Sequence, residues 1–139
     1  MTKSMIESYP LSSAGYDPFL IRKGWQVARL THIPEQDLFG IKKMDKHLLT
    51  DEVFILLKGT AVLIAAFEEH TDFQFEFVKM KRGIPYNIPV GQWHNIAMDR
   101  EAELIIIEKD HTHLGDYEYR PLRTNQIEEI NQHMRSLNP

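Results

Sequence analysis

Residues 45–59 read "DKHLLTDEVFILLKG", which sets one histidine and three acidic residues ahead of an apolar strand that ends in glycine. Such a cluster is either a set of metal ligands or the polar lip of a β-sheet. The chain holds no cysteine, so disulfides and thiolate metal sites are excluded, and any metal must be held by imidazole and carboxylate. His47 and Glu52 are five positions apart, an odd interval that sends their side chains to opposite faces of an uninterrupted strand. They converge only if the chain bends within "LLTD", where Thr50 and Asp51 can hydrogen-bond nearby backbone. Beyond the bend, Phe54 and Leu56 share the face of Glu52, which puts a carboxylate at the end of an apolar interior row. There it needs a partner or a metal. A second group lies in "GIPYNIPVGQWHNIAM", residues 83–98. Pro89 and Gly91 make a turn that delivers Trp93, His94 and Asn95 into a short strand where His94, Ile96 and Met98 share a face. If the two strands are neighbours, His94 meets His47 and Glu52.

The elements that must position these residues are mostly strands. Short runs rich in Val, Ile, Phe and Leu, separated by Gly, Pro, Asp and charged turns, fill Trp25 to Lys109, the pattern of an all-β sandwich or barrel. The spacing predicts strands near 25–33, 52–58, 60–68, 73–80, 84–88, 94–98 and 103–109. "FQFEFV" alternates cleanly, with Phe73, Phe75 and Phe77 toward a core and Gln74 and Glu76 toward water. "TAVLIAAF" and "ELIIIE", by contrast, are apolar on both faces, where an antiparallel strand needs only one dry side. Two covers are available: the second subunit of a homodimer, or a C-terminal helix over about 124–137. In that helix Ile127, Ile130, Met134 and Leu137 recur at helical spacing behind a possible Thr124 cap. Residues 10–24 read as a packed arm. No repeat or linker divides the chain, so 1–139 is expected to be a single domain.

Here the sequence resembles the cupin superfamily, whose two motifs have the forms G-x5-H-x-H-x3-4-E-x6-G and G-x5-P-x-G-x2-H-x3-N. The first resemblance, over about 40–59, runs through Gly40, His47, Glu52 and Gly59; the second, over about 83–98, runs through Gly83, Pro89, Gly91 and His94. The resemblance implies an all-β, cupin-like antiparallel barrel or jelly roll, often dimeric, whose motif residues face a central pocket that in many members binds a divalent metal. Two positions depart from the pattern: Asp45 replaces the first histidine of the H-x-H pair, and Met98 replaces the closing asparagine, with Asn95 the nearest alternative. His47, Glu52 and His94 still make a set that suits non-haem Fe(II) or zinc with an open position, and Asp45 could add an oxygen, shifting preference toward Mn or Fe. Fe, Mn, Zn and Ni are therefore the candidate ions. Phe54, Tyr86, Trp93 and Asn95 are the candidate ligand-pocket residues.

Each of these residues also has a plain structural reading. Asp45 could be a solvated loop carboxylate, His47 a donor to a backbone carbonyl, Glu52 the partner of a Lys or Arg across the barrel, and His94 a hydrogen-bonded core histidine. Tyr86 and Trp93 could be packing rather than ligand stacking. His111 and His113 share H-x-H spacing, but they follow the last strand in a glycine-containing loop and read as surface residues. Glu68, Glu69 and His70 read as a hairpin turn. A formal charge of −4 and scattered basic residues exclude nucleic acid as an expected partner. "MTKSMIESYP" lacks the apolar core of a signal peptide, and no apolar run reaches the roughly 20 residues of a membrane span, so a cytoplasmic protein is expected. The function that follows is small-molecule binding in a pocket centred on His47, Glu52 and His94, with a divalent metal optional. Alternatives are a metal-dependent enzyme, such as an oxygenase or sugar-type isomerase, and a dimeric sensor or structural module with a vestigial pocket.

Overall fold

The computed structural model describes residues 4–137; of the domain expected over 1–139, residues 1–3 and 138–139 lie outside the described residues. Among the described residues, ten strands form two five-stranded sheets that face each other. In chain order they are β1 (Tyr16–Arg22), β2 (Trp25–Thr31), β3 (Lys43–Lys46), β4 (Glu52–Lys58), β5 (Ala61–Glu69), β6 (Asp72–Lys79), β7 (Pro85–Ile88), β8 (Trp93–Met98), β9 (Glu103–Glu108) and β10 (Glu118–Pro121). One sheet has the order β1-β2-β9-β4-β7 and the other β10-β3-β8-β5-β6. All pairings between these strands are antiparallel.

Period-two alternation fixes which side chains meet between the sheets. Ala28 and Leu30, Phe54 and Leu56, Leu63, Ile96 and Met98, and Leu104 and Ile106 form the inner core. The apolar run of β5 is explained by burial on both faces. Ala61 and Leu63 enter the inner core, while Val62, Ile64 and Ala66 join a second core under the helix α1 (Thr124–Ser136) with Met44, Phe73, Ala97, Ile130 and Met134. The phenylalanine row does face a core, but it is this outer one: Phe75 and Phe77 pack against it, and the Phe77 ring stacks on His133 at 3.9 Å. The helix is capped differently from the sequence expectation. Arg123 rather than Thr124 is the cap residue, and the Gln126 side chain accepts its backbone N–H at 2.8 Å.

The double apolarity of β9 has a different outcome, because α1 lies on the opposite sheet. Leu104 and Ile106 are inside, whereas Ile107, on the outer face, is 39% exposed. Three strands are absent from the sequence expectation. β1 occupies what reads as an arm, and β3 and β10 are four-residue strands whose polar sequences carry no alternating signal. Two glycines of the motif resemblance fare differently. Gly59 sits at φ +79, and a Cβ there would lie 2.5 Å from the Ala102 Cα, so only glycine lets the β4–β5 turn pass this close. Four residues separate Gly40 from Asp45, where the motif form has five. Among the described residues no helix is long and apolar enough to cross a membrane.

Candidate metal centre

The site forms where β3, β4, β8 and β9 deliver one polar residue each to the open end of the inner core. Asp45 stands opposite His94 in the β3–β8 pairing, and Glu52 stands opposite Glu108 in the β4–β9 pairing. The bend that the odd interval between His47 and Glu52 requires is present and is held from several sides. The Asp116 carboxylate accepts the N–H groups of Leu48 and Leu49 at 2.8 and 3.0 Å. Thr50 Oγ1 accepts the Lys109 N–H at 2.9 Å, and Asp51 accepts that of Val90, also at 2.9 Å. Gly91, at φ +80 in the β7–β8 turn, donates its N–H to the His47 carbonyl at 2.7 Å, which ties the two sequence clusters together.

Both imidazoles are oriented by backbone. His47 Nδ1 donates to the Asp116 carbonyl at 2.6 Å and His94 Nδ1 donates to the Gln92 carbonyl at 2.9 Å. A carbonyl only accepts, so each Nδ1 carries the hydrogen and each Nε2 is turned inward. The two Nε2 atoms meet the same carboxylate oxygen: Glu52 Oε1 lies 2.9 Å from that of His94 and 3.4 Å from that of His47. All three residues are buried. Asp45 is further off, with Oδ2 at 3.9 Å from His47 Nε2, and its buried Oδ1 has no hydrogen-bond partner.

Burial and mutual charge set the protonation of this group. Burial opposes ionisation of Glu52, but the two histidines overcome it and hold the carboxylate below the usual range. Burial likewise opposes protonation of His47, yet the hydrogen bond and charge of Glu52 raise it to about 9; His94 is raised against burial by the same carboxylate. Burial pushes Asp45 up. Glu108 is raised to about 7, first by burial and then by the negative charge of Glu52.

These donors fit a divalent metal. Nitrogen and oxygen ligands about 2.1 Å from one ion, at tetrahedral or octahedral angles, stand about 3.0–3.4 Å from one another, and the Nε2–Oε1 separations are 2.9 and 3.4 Å. Each imidazole also has the carbonyl partner on its far nitrogen that metal-bound histidines require. The plain reading of His47 as donor to a backbone carbonyl is thus correct without competing with metal binding, because the other nitrogen faces the site. Glu52, for its part, pairs with histidines and not with a Lys or Arg.

The centre forms one wall of a cavity of about 450 Å³, within the size range of small-molecule sites. Phe54 and Asn95 line it. Asn95 has both polar atoms committed, donating to the Lys43 carbonyl and accepting from the Ile96 N–H at 2.9 and 2.7 Å. Tyr86 and Trp93 do not line it. Trp93 neighbours His94, so strand alternation sends it to the opposite face, where its indole donates to Glu68 at 3.1 Å and its ring packs near Phe73. Tyr86 packs against the inner core beyond the cavity, with its hydroxyl accepting the Lys81 N–H.

His113 corrects the surface reading. It lines the cavity beside Tyr16 and accepts the Gln26 side-chain amide at Nδ1, at 3.1 Å, while His111 remains at the surface. Sequence reasoning missed Glu108, Tyr16, Gln26, Asp116, Tyr117 and Tyr119. Glu108 was available from alternation, since Leu104, Ile106 and Glu108 share one face of β9. Asp116 and the tyrosines come from segments without a periodic signal.

No protein-family model matches the chain, and none of the curated proteins does. Solved structures match it in fold. An RmlC-like cupin with a double-stranded β-helix fold from Methanocaldococcus jannaschii is similar at TM-score 0.51 and 13% identity, over 81% of this chain and 97% of that one. PAC13 of Streptomyces, solved with uridine, is similar at TM-score 0.56 and 11% identity over 91% of this chain and 97% of its own. The capsular polysaccharide assembling protein CapF of Staphylococcus aureus is similar at TM-score 0.55 and 22% identity; the match covers 83% of this chain and only 34% of CapF. The chain has the double-stranded β-helix fold of the cupins, as its two motifs imply.

Proposed function

We propose that this protein binds a divalent metal through His47, His94 and Glu52 and presents it to a small molecule held in the adjoining cavity. The observation that carries this reading is the convergence of two inward-facing Nε2 atoms on one buried carboxylate oxygen, with both Nδ1 atoms occupied by carbonyls. Three protein ligands leave coordination positions for a substrate oxygen or water, and a bound ion would act there as a Lewis acid. The protein itself supplies orientation. Phe54 and Ile106 give the cavity an apolar side, and Tyr16 and His113 give it a polar one. This arrangement supports a metal-dependent enzyme, of oxygenase or isomerase type, as the finer form of the reading.

The test is elemental analysis and calorimetric titration with Mn, Fe, Zn and Ni of the wild type, His47→Ala and His94→Ala. Stoichiometric binding by the wild type that both variants lose supports the reading; a wild type that takes up none of the four ions refutes it and favours the vestigial pocket. Thermal-stabilisation screening then addresses the ligand, since one present at 100 times its dissociation constant adds about 2.7 kcal/mol. Uridine, the ligand of the Streptomyces neighbour, and monosaccharides are the first probes because the cavity has room for molecules of that size.

A further inference from the structure

Glu108 lies outside both stretches of motif resemblance, on β9, the central strand of the first sheet, and it stands directly opposite Glu52. Like charges facing each other across an antiparallel pair are destabilising, and two buried carboxylates more so, unless something between them supplies positive charge or a proton. The two oxygens of Glu108 are treated differently. One accepts the Tyr16 hydroxyl, which is held in turn by the Gln26 side chain at 2.8 Å, and Gln26 is fully buried. The other, Oε1, is buried without a hydrogen-bond partner, in a residue only 6% exposed that lines the cavity. Ligand atoms of His47, Glu52 and Glu108 all lie within 4.8 Å of one another, as do those of Asp45, His47 and His94, so proximity alone does not choose between the two carboxylates.

We propose that Glu108 is a protein ligand of the metal centre, completing a two-histidine, two-glutamate set with His47, His94 and Glu52, and that Asp45 is not. This deepens the function proposed above and rests on it. The two carboxylates balance a divalent charge, which removes the conflict between Glu52 and Glu108. Outer support separates Glu108 from Asp45: metal ligands are held by partners behind them, and His47, His94 and Glu108 each have one, in Asp116, Gln92 and Tyr16. Asp45 has no hydrogen bond to either carboxylate oxygen except the long approach of His47. An oxygen-rich set of this kind suits Mn(II) or Fe(II) over softer ions.

The experiment is calorimetric titration of Mn(II) into the wild type, Glu108→Gln, Asp45→Asn and Tyr16→Phe, paired with thermal unfolding of each with and without metal. Glu108→Gln is expected to weaken Mn(II) binding at least about tenfold, Tyr16→Phe to weaken it less, as a positioning residue, and Asp45→Asn to change it by under about threefold. A merely structural role for Glu108 would lower stability in both states. The proposal expects instead that stabilisation by Mn(II) shrinks in Glu108→Gln relative to the wild type, whatever the stability of the metal-free variant. Wild-type binding with Glu108→Gln unchanged, or with Asp45→Asn the more damaging variant, overturns the inference and leaves the His47–His94–Glu52 centre standing. No binding by the wild type refutes the centre itself.

Discussion

Loading the centre with a divalent ion must strip the proton that His47 holds in the metal-free protein. Glu52 raises His47 to about 9 against the effect of burial, and a metal accepts only the neutral imidazole. At pH 7 the ion therefore competes with a proton bound two pH units below its release point. Apparent affinity at pH 7 is then about 100-fold lower than above pH 9, equivalent to about 2.7 kcal/mol, and rises about tenfold between pH 7 and 8. His94 is raised by the same carboxylate, so the slope from His47 alone is a lower bound. Calorimetric titration of Mn(II) at pH 7.0, 7.5 and 8.0 in two buffers of different ionisation enthalpy reads both quantities. The affinity gives the slope, and the dependence of the heat on buffer gives protons released, at least about one per ion at pH 7. Affinity flat across this range, with heats independent of buffer, would show that His47 is already neutral at pH 7 and that the Glu52–His47 pairing does not hold a proton in solution.

The metal-free protein should lose stability with rising pH. The folded His47 pKa lies above its unfolded value of 6.5, so its contribution is complete below 6.5 and lost through about 9. Glu108, raised from 4.5 to about 7, contributes below 4.5 and loses that as pH rises to 7. Glu52, depressed, acts the other way and loses its contribution only as pH falls below 4.5. Unfolding temperature in chelator should thus peak near pH 5 and fall by at least about 3 °C by pH 8.5; a higher value at 8.5 than at 5.5 would contradict the charge assignment. Gly59→Ala should cost about 2 kcal/mol or more in urea unfolding, because its Cβ would meet the Ala102 backbone at positive φ, and an unchanged midpoint would exclude that close approach. Asp116→Ala, which frees the Leu48 and Leu49 N–H groups, should cost about 2 kcal/mol and weaken metal binding about tenfold through the misplaced His47. A homodimer through the outer face of the first sheet, where Val27, Ile107 and Val53 form one row, should scatter light as twice the chain mass, and Ile107→Lys should return it to monomer. A monomeric wild type would leave that face to water.

What the sequence made legible is what repeats at short range, and the site shows where that rule stops. Alternation placed Glu52 and Phe54 on one face and His94 and Ile96 on another, and the odd interval from His47 to Glu52 required the bend that the structure contains. The same alternation carried through β9 leads to Glu108, but a terminal glutamate on a strand reads as a charged strand end until the opposite strand is known to begin with Glu52. Trp93 failed for the complementary reason. Its proximity to His94 in sequence suggested proximity in the pocket, whereas neighbours on a strand are the pair that must separate. Tyr16, Gln26, His113 and Asp116 could not be reached by any local pattern. Their roles exist only because β1 folds across the open end and the 109–117 segment returns over it, bringing Gln26 to His111 and His113, and Asp116 to His47. The residues that could bind an ion are thus mostly those of the short-range pattern. The residues that hold them in position are set by the closure of the barrel, so a chain can keep the histidines and carboxylate and still bind the ion more weakly if Asp116 or Tyr16 changes.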